Sequence, residues 1–528
     1  MSEMKPVEKA LIVSLSIVLF VLFLNATRFN WLVQSLDQAY FLESIDTTYE
    51  SGHSTTMLTG SVIHALRDLI VAPVSSICGY QFENEGREYL NIYERHSFPI
   101  LYVLAILRPV FSAKVIFYLC ALVGFPGLLL VVYLRSRNLG LPVIVSSFLF
   151  LMVAFHPAWS YASFGQFYPD KLFPILCIVY FFILHDWITS DRRRPFALCV
   201  IGILAASTSE RSIIMLVAGT LGVYAFFGLR RRWTRLDALP LILVLILGAY
   251  AYIYMHFVQQ NPDYSSFSSG FYTFWSAVSK NTEVAKPIYK FLLINVLFLV
   301  PFGLFAKRWS LIALMSMIPN VIGSLGGAEK LGWTTHYHSG YFPFLIVALV
   351  IGATKLWKTR SRVLIPITLT LAVSVVLFYA FIDPFPPSIT FSLKQIRETG
   401  LVKMVEFYTV TGPAESIIQR AQRFEKIAAQ VPPGSDVSTQ EAYMPALYAQ
   451  GVKWIHFYPL GLGKSDYLIV PYTLKDNVPR WEGFLSYLGP EVIEQANDCL
   501  QKKVNDQYTL VVVFPNSPVT GAALLKRK

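Results

Sequence analysis

Long apolar runs alternate with short charged knots along most of the chain, and that alternation is its dominant pattern. Apolar runs fall at residues 11–26, 115–134, 141–158, 172–187, 196–209, 213–227, 236–258, 288–306, 311–325, 341–356 and 363–381. They predict about eleven transmembrane helices, since a helix needs roughly 20 apolar residues to cross a bilayer. The two runs on either side of Glu210 are short for a span, which suits tilted half-helices packed inside the protein. Residues 98–111 are apolar but hold Pro99, Arg108 and Pro109, so they read as an interfacial or re-entrant segment. Residues 57–77 carry Leu58, Val62, Leu66, Leu69 and Ile70 at helical spacing, the pattern of an amphipathic helix lying at a membrane surface.

The pattern changes after the prolines at 384, 386 and 387. Helix-like stretches at 415–430 and 482–504 alternate with strand-like ones at 453–458, 466–471 and 509–514, predicting a small α/β domain. The expected organisation is a transmembrane domain over 1–385, with a large outer loop at 27–97, and a soluble α/β domain over 386–528. No internal repeat joins two similar halves.

Composition agrees with the pattern. Of 528 residues, 54% are hydrophobic and 15% charged, well under the charge of an ordinary soluble domain. The net charge of +11 does not point to nucleic acid, because the cations form knots between apolar runs rather than a stripe interleaved with aromatics. These knots are Arg135/Arg137, Arg192–Arg194, Arg230–Arg232 with Arg235, Lys307/Arg308 and Lys355/Lys358/Arg360/Arg362. If residues 98–111 do not cross, every knot falls on the cytoplasmic side, as the positive-inside rule requires. Lys5 and Lys9 then hold the N-terminus in the cytoplasm, and the run after Lys9, lacking a small-residue cleavage site, reads as an anchor. The C-terminal domain is extracytoplasmic. The five cysteines have the spacing of no zinc motif.

Chemically equipped residues gather on that outer side. Asp37 and Glu43 begin the first loop, where a carboxylate near the membrane surface can take a proton from a hydroxyl. Glu94-Arg95-His96-Ser97-Phe98-Pro99 suits phosphate through its Arg and His. The turn Phe164-Gly165-Gln166-Phe167-Tyr168-Pro169-Asp170-Lys171 joins two spans. Ser209-Glu210-Arg211 puts ionisable groups at membrane depth, where they cost about 2.5–3.5 kcal/mol at the centre. His336-Tyr337-His338 could bind phosphate or sugar hydroxyls; two histidines at this spacing do not make a metal site alone. Taken singly, each cluster also fits a solvated face, a tight loop or an aromatic belt. Their occurrence on one side implies a site at the membrane boundary, suited to a lipid-linked substrate.

These motifs carry a family resemblance. His96-Ser97-Phe98-Pro99-Ile100-Leu101 resembles a His-Phe-Ser-Pro-Ile-Leu motif with its middle residues exchanged, and Phe167-Tyr168-Pro169-Asp170 resembles Phe-His-Pro-Glu. Ser209-Glu210-Arg211 stands where that family has Lys-Glu-Asp. His336-Tyr337 with Pro343-Phe344 resembles its His-Tyr and Pro-Phe pair. Asp37 and Glu43 lie where its first loop carries two aspartates, and Pro433-Gly434-Ser435-Asp436-Val437-Ser438 and Asp466-Tyr467-Leu468-Ile469 look like its C-terminal strands. The family is the predicted membrane proteins of "domain of unknown function 2079", similar in layout to the GT-C glycosyltransferases. The resemblance implies an enzyme that takes sugar from a polyprenyl-phosphate donor and passes it to a glycan, lipid or protein acceptor outside the membrane. It assigns the base role to Asp37, with Glu43 in reserve. The outer-side clusters themselves give the expected donor site: Glu94, Arg95, His96 and His336 hold the phosphate, with Tyr168, Asp170, Glu210, Arg211, Tyr337 and His338 lining it and a divalent metal optional. Tyr168 and Arg211 depart from the family pattern at the donor site. The rival expectation is a transporter or flippase for a lipid-linked or small polar solute, using Glu210 and Arg211. A third is a non-catalytic assembly protein acting through residues 386–528.

Overall fold

The structure is a computed structural model that describes residues 36–56, 90–91, 97–159, 168–190, 193–227, 235–258, 282–323, 336–359, 363–382, 415–440, 443–452, 454–459, 461–473, 478–479, 490–515 and 520–528. The run at 11–26, the amphipathic helix at 57–77 and the proline linker lie outside these residues. Packing divides the chain into two units. A helical unit takes Met1–Asn30, Tyr93–Val103 and Val115–Gly412; a sheet unit takes Trp31–Ile92, Leu104–Lys114 and Pro413–Lys528.

Among the described residues, five helices are long and apolar enough to cross a membrane: Ala113–Asn138, Pro169–Thr189, Glu210–Phe227, Leu236–Val258 and Phe342–Thr359. Shorter apolar helices cover Val143–Phe155, Pro195–Ala206, Ile288–Leu299 and Leu364–Tyr379. Leu239–Ile253 shows why water does not suit this unit. It buries Leu243, Val244 and Ala251, yet exposes Ile242, Leu245, Ile246 and Ile253 along its opposite face. An outward apolar face of that kind belongs against lipid, and the helices are those of a membrane protein.

Local chemistry explains the irregularities. In Ala113–Asn138, Pro126 lacks an N–H, and the helix widens to a π-turn over Val123–Gly127. The run expected at 311–325 breaks at Met317 into helices Arg308–Ser316 and Ile318–Gly323, with Pro319 opening the second. The apolar segment 98–111 forms one short helix, Ile100–Ala105, followed by turns to Val110. Close helix contact depends on missing side chains. A Cβ on Gly219 would collide with the rings of Phe344 and Phe181, and one on Gly352 with the Phe302 carbonyl.

The sheet unit begins in the first loop. Helix Leu36–Ser51 is followed by β1 (Thr55–Thr56), which pairs antiparallel with β2 (Leu90–Asn91). The main sheet holds β3 (Asp436–Thr439), β4 (Trp454–Phe457), β5 (Tyr467–Thr473), β6 (Val478–Pro479), β7 (Tyr508–Pro515) and β8 (Thr520–Arg527). Its order is β4-β3-β5-β8-β7, with β6 pairing antiparallel to β5. β3 runs parallel to β4 and β5, the first through a crossover containing helix Met444–Ala449; β8 runs antiparallel to β5 and β7. The α/β character expected after residue 386 is therefore present as a small mixed sheet with helices Glu415–Ala428 and Pro490–Gln507.

The core of this unit reaches back to the first loop. Ala39 is fully buried in one cluster with Phe424, Ile427, Val437, Leu447, Ile469 and Leu524. Beside it, Tyr448 donates to Asp46 Oδ2 at 2.7 Å, and Arg108 pairs with the other Asp46 oxygen. Burial, and then the Asp46 charge, push the Tyr448 phenol well up from its ordinary value.

Candidate functional site

The helical unit gathers polar groups from several separated segments. Ser209 starts the assembly by capping the next helix: its Oγ accepts from the Ser212 N–H at 3.2 Å. Ser209 and Thr208 also pair with the Ser212 hydroxyl, each at 2.8 Å. Glu210 thus opens helix Glu210–Phe227, where the helix dipole favours a carboxylate. Glu210 is buried, and its Oε2 accepts from the Ser97 N–H at 3.1 Å. The Ser97 hydroxyl meets the Tyr250 hydroxyl at 2.9 Å, and the Ile100 N–H donates to the Ser207 carbonyl at 2.8 Å. The segment after His96 is thereby sewn to the turn at Glu210.

The turn Pro169–Leu172 supplies the next charges. Asp170 and Lys171 are both buried at its centre. Asp170 lies within electrostatic range of Arg211, Lys171 and Glu210, so two carboxylates and two cations share one region. Opposite charges close by offset part of the cost of burying each ion. Gly124, in the π-turn, makes room for the Lys171 backbone: a Cβ there would stand 3.1 Å from the Lys171 carbonyl oxygen. The Lys171 ammonium sits 5.7 Å from the centre of the Phe125 ring.

The turn His336–Ser339 packs against Pro169–Leu172. Its buried His338 pairs through Nδ1 with the Tyr341 hydroxyl at 2.9 Å. Next to it, His156 is fully buried, stacked on Phe342 at 4.7 Å with Phe298 and Tyr379 at its edges. His156 and His338 are close enough to interact electrostatically.

The expected residues therefore divide. Asp170, Glu210 and Arg211 come together, and His338 joins them through the contact between turns. Tyr168 immediately precedes the Asp170 turn, makes no side-chain capping bond to it and is half-buried. Asp37 and Glu43 lie on helix Leu36–Ser51 in the sheet unit. Glu43 is buried there and accepts from the Thr56 hydroxyl at 2.5 Å. Glu94, Arg95 and His96 lie outside the described residues, as do the side chains of Asp37, His336 and Tyr337. Among the described residues, no three His, Cys, Asp or Glu side chains are placed to hold a metal ion. Reading the sequence flagged Lys171 and Ser97 only as members of their motifs, with no role given to either, and missed His156, Tyr250 and Tyr341. Of these, His156 carried a usable signal, an ionisable residue within an apolar run.

No family model matches the chain, and no curated protein matches it.

Proposed function

We propose that the chain is a GT-C-like integral membrane glycosyltransferase with about eleven spans, a cytoplasmic N-terminus and an extracytoplasmic C-terminal domain. It moves a sugar from a polyprenyl-phosphate donor to an acceptor outside the membrane, with inversion. The supporting observation is the buried group Asp170, Lys171 and Glu210 with the half-buried Arg211 beside it, tied through Ser97 to the segment that follows Glu94-Arg95-His96. Fixed charges at the edge of an apolar bundle suit a substrate with a phosphate head and a hydrocarbon tail.

In this reading Asp37 removes the acceptor hydroxyl proton. The acceptor oxygen bonds to the anomeric carbon as the bond from that carbon to the phosphate oxygen breaks. The phosphate departs with the electron pair. Arg95, His96, Lys171, Arg211 and His336 face its growing negative charge, while Glu94, Asp170 and Glu210 orient the cations. Glu43, engaged with Thr56, stands in reserve.

A second reading, a carrier for lipid-linked or small polar solutes, draws on the same buried charges, because Asp170 and Lys171 lie in the first turn of a membrane-length helix. One experiment separates the two. Protein reconstituted in liposomes with a labelled polyprenyl-phosphate sugar, together with an extract of the native cell envelope that supplies acceptors, is assayed for new glycosidic bonds and for label crossing the bilayer. Bond formation that Asp37→Asn and Glu210→Gln each reduce at least about a hundredfold supports transfer. Crossing without bond formation supports the carrier. Bond formation undiminished in both variants removes these residues from the mechanism.

A further inference from the structure

A second charged region lies in the helical unit and takes no part in the site above. Lys307 joins the turn Gly303–Ala306 to helix Arg308–Ser316 with a backbone φ of +50°, an uncommon conformation for a side-chain-bearing residue. No side chain caps that helix. Gly352 rests on the Phe302 carbonyl, so the last turns of Phe342–Thr359 end beside this junction. Lys355 follows Gly352 by one turn and interacts electrostatically with Arg308 and Lys307. His185, which accepts from the Trp309 indole at 3.2 Å, senses Lys355, Lys358 and Arg135. Three separate cationic knots of the sequence thus become one patch.

The patch is short of negative charge. Its carboxylate, Asp186, is bonded to Arg135. Among the described residues, no carboxylate pairs with Lys307, Arg308, Lys355 or Lys358. Lys307, Lys355 and Lys358 are exposed, and the Arg308 guanidinium lies 5.2 Å from the centre of the Phe227 ring. Leu304 and Leu311, also exposed, stand on either side of Lys307–Arg308. Cations bordered by outward apolar side chains at the end of a membrane helix match a phosphate headgroup with acyl chains beneath it. Cations that only set orientation during insertion have no need to converge across three knots.

We propose that this patch binds the phosphate headgroup of an anionic membrane lipid. The test uses the full chain in detergent, with native mass spectrometry of bound phosphatidylglycerol and phosphatidylcholine carrying identical acyl chains. Phosphatidylglycerol is expected to be retained at least about tenfold better at low salt. That preference collapses as ionic strength rises from about 0.1 M to about 1 M, where the screening length falls from about 10 Å to about 3 Å. Neutralising Lys307, Arg308, Lys355 and Lys358 to glutamine together removes the preference, whereas Lys307→Arg, Lys355→Arg and Lys358→Arg together keep it. Equal retention of both lipids, or a preference indifferent to salt, overturns the proposal even where the glutamine variant fails to insert. So does displacement of phosphatidylglycerol by millimolar inorganic phosphate, which would assign the patch to a free anion.

Discussion

The Ser97 N–H donates to the Glu210 carboxylate although 113 residues separate them in sequence. Removing the acceptor strands a buried donor at a cost of about 1–3 kcal/mol. Glu210→Ala is therefore expected to lower the unfolding midpoint of the detergent-solubilised protein by several degrees. Glu210→Gln keeps an oxygen in place and should stay within about 1 kcal/mol of the parent. Identical melting of the alanine variant and the parent would contradict the buried geometry.

Gly219 and Gly352 allow neighbouring elements to touch. Gly219→Leu and Gly352→Ala should each destabilise the helical unit by at least about 1–3 kcal/mol through overpacking. Gly248, whose nearest neighbour to an added Cβ is Val217 at 3.9 Å, is the internal control. Gly248→Ala should be neutral. Size-exclusion profiles after stepwise heating report the difference, and equal tolerance at all three positions would count against the described packing.

The Tyr448–Asp46 hydrogen bond links the first loop to the C-terminal sheet within one unit. A double-mutant cycle with Tyr448→Phe and Asp46→Asn should give a coupling of about 0.5–3 kcal/mol. Strictly additive losses, measured by denaturant unfolding, would mean that the two side chains do not meet.

Alkaline pH should loosen the sheet. Burial pushes the Tyr508 phenol up to about 12. An unfolded tyrosine ionises near pH 10. The folded state therefore holds its proton more tightly, so the contribution of Tyr508 is complete below about pH 10. It falls as pH rises towards about 12, by at most ~1.4 kcal/mol per pH unit. Tyr508 donates to the Ser465 carbonyl and accepts from the Gly463 N–H, each at 3.0 Å. Tyr508→Phe should lower stability near neutrality yet flatten this alkaline slope. Hydrogen exchange of β7 and β8 amides against pH reads both effects.

What the sequence reveals follows from what leaves a periodic or compositional trace. Glu210 and Arg211 stood out because charge between apolar runs is costly. Tyr250, whose hydroxyl meets that of the Glu210 partner Ser97, did not, since a tyrosine near a membrane surface is unremarkable in isolation. Strands β4, β5 and β7 were visible as apolar segments near turn residues. β8 escaped because its stretch Gly521–Leu525 is buried throughout, as suits a strand between β5 and β7, and such a strand shows no alternation. β3 was flagged only by family resemblance. The membership of helix Leu36–Ser51 in the sheet unit had no local trace at all, because its partner Tyr448 comes 402 residues after Asp46.

That long separation sets a timetable for biosynthesis. At ~5–20 residues per second, roughly 20–80 s pass between synthesis of Asp46 and synthesis of Tyr448. Throughout that interval Ala39 and its helix must wait without the apolar neighbours that finally enclose them. Severing the chain ahead of Pro413 would release a sheet lacking part of its own interior, because Ala39 would stay behind.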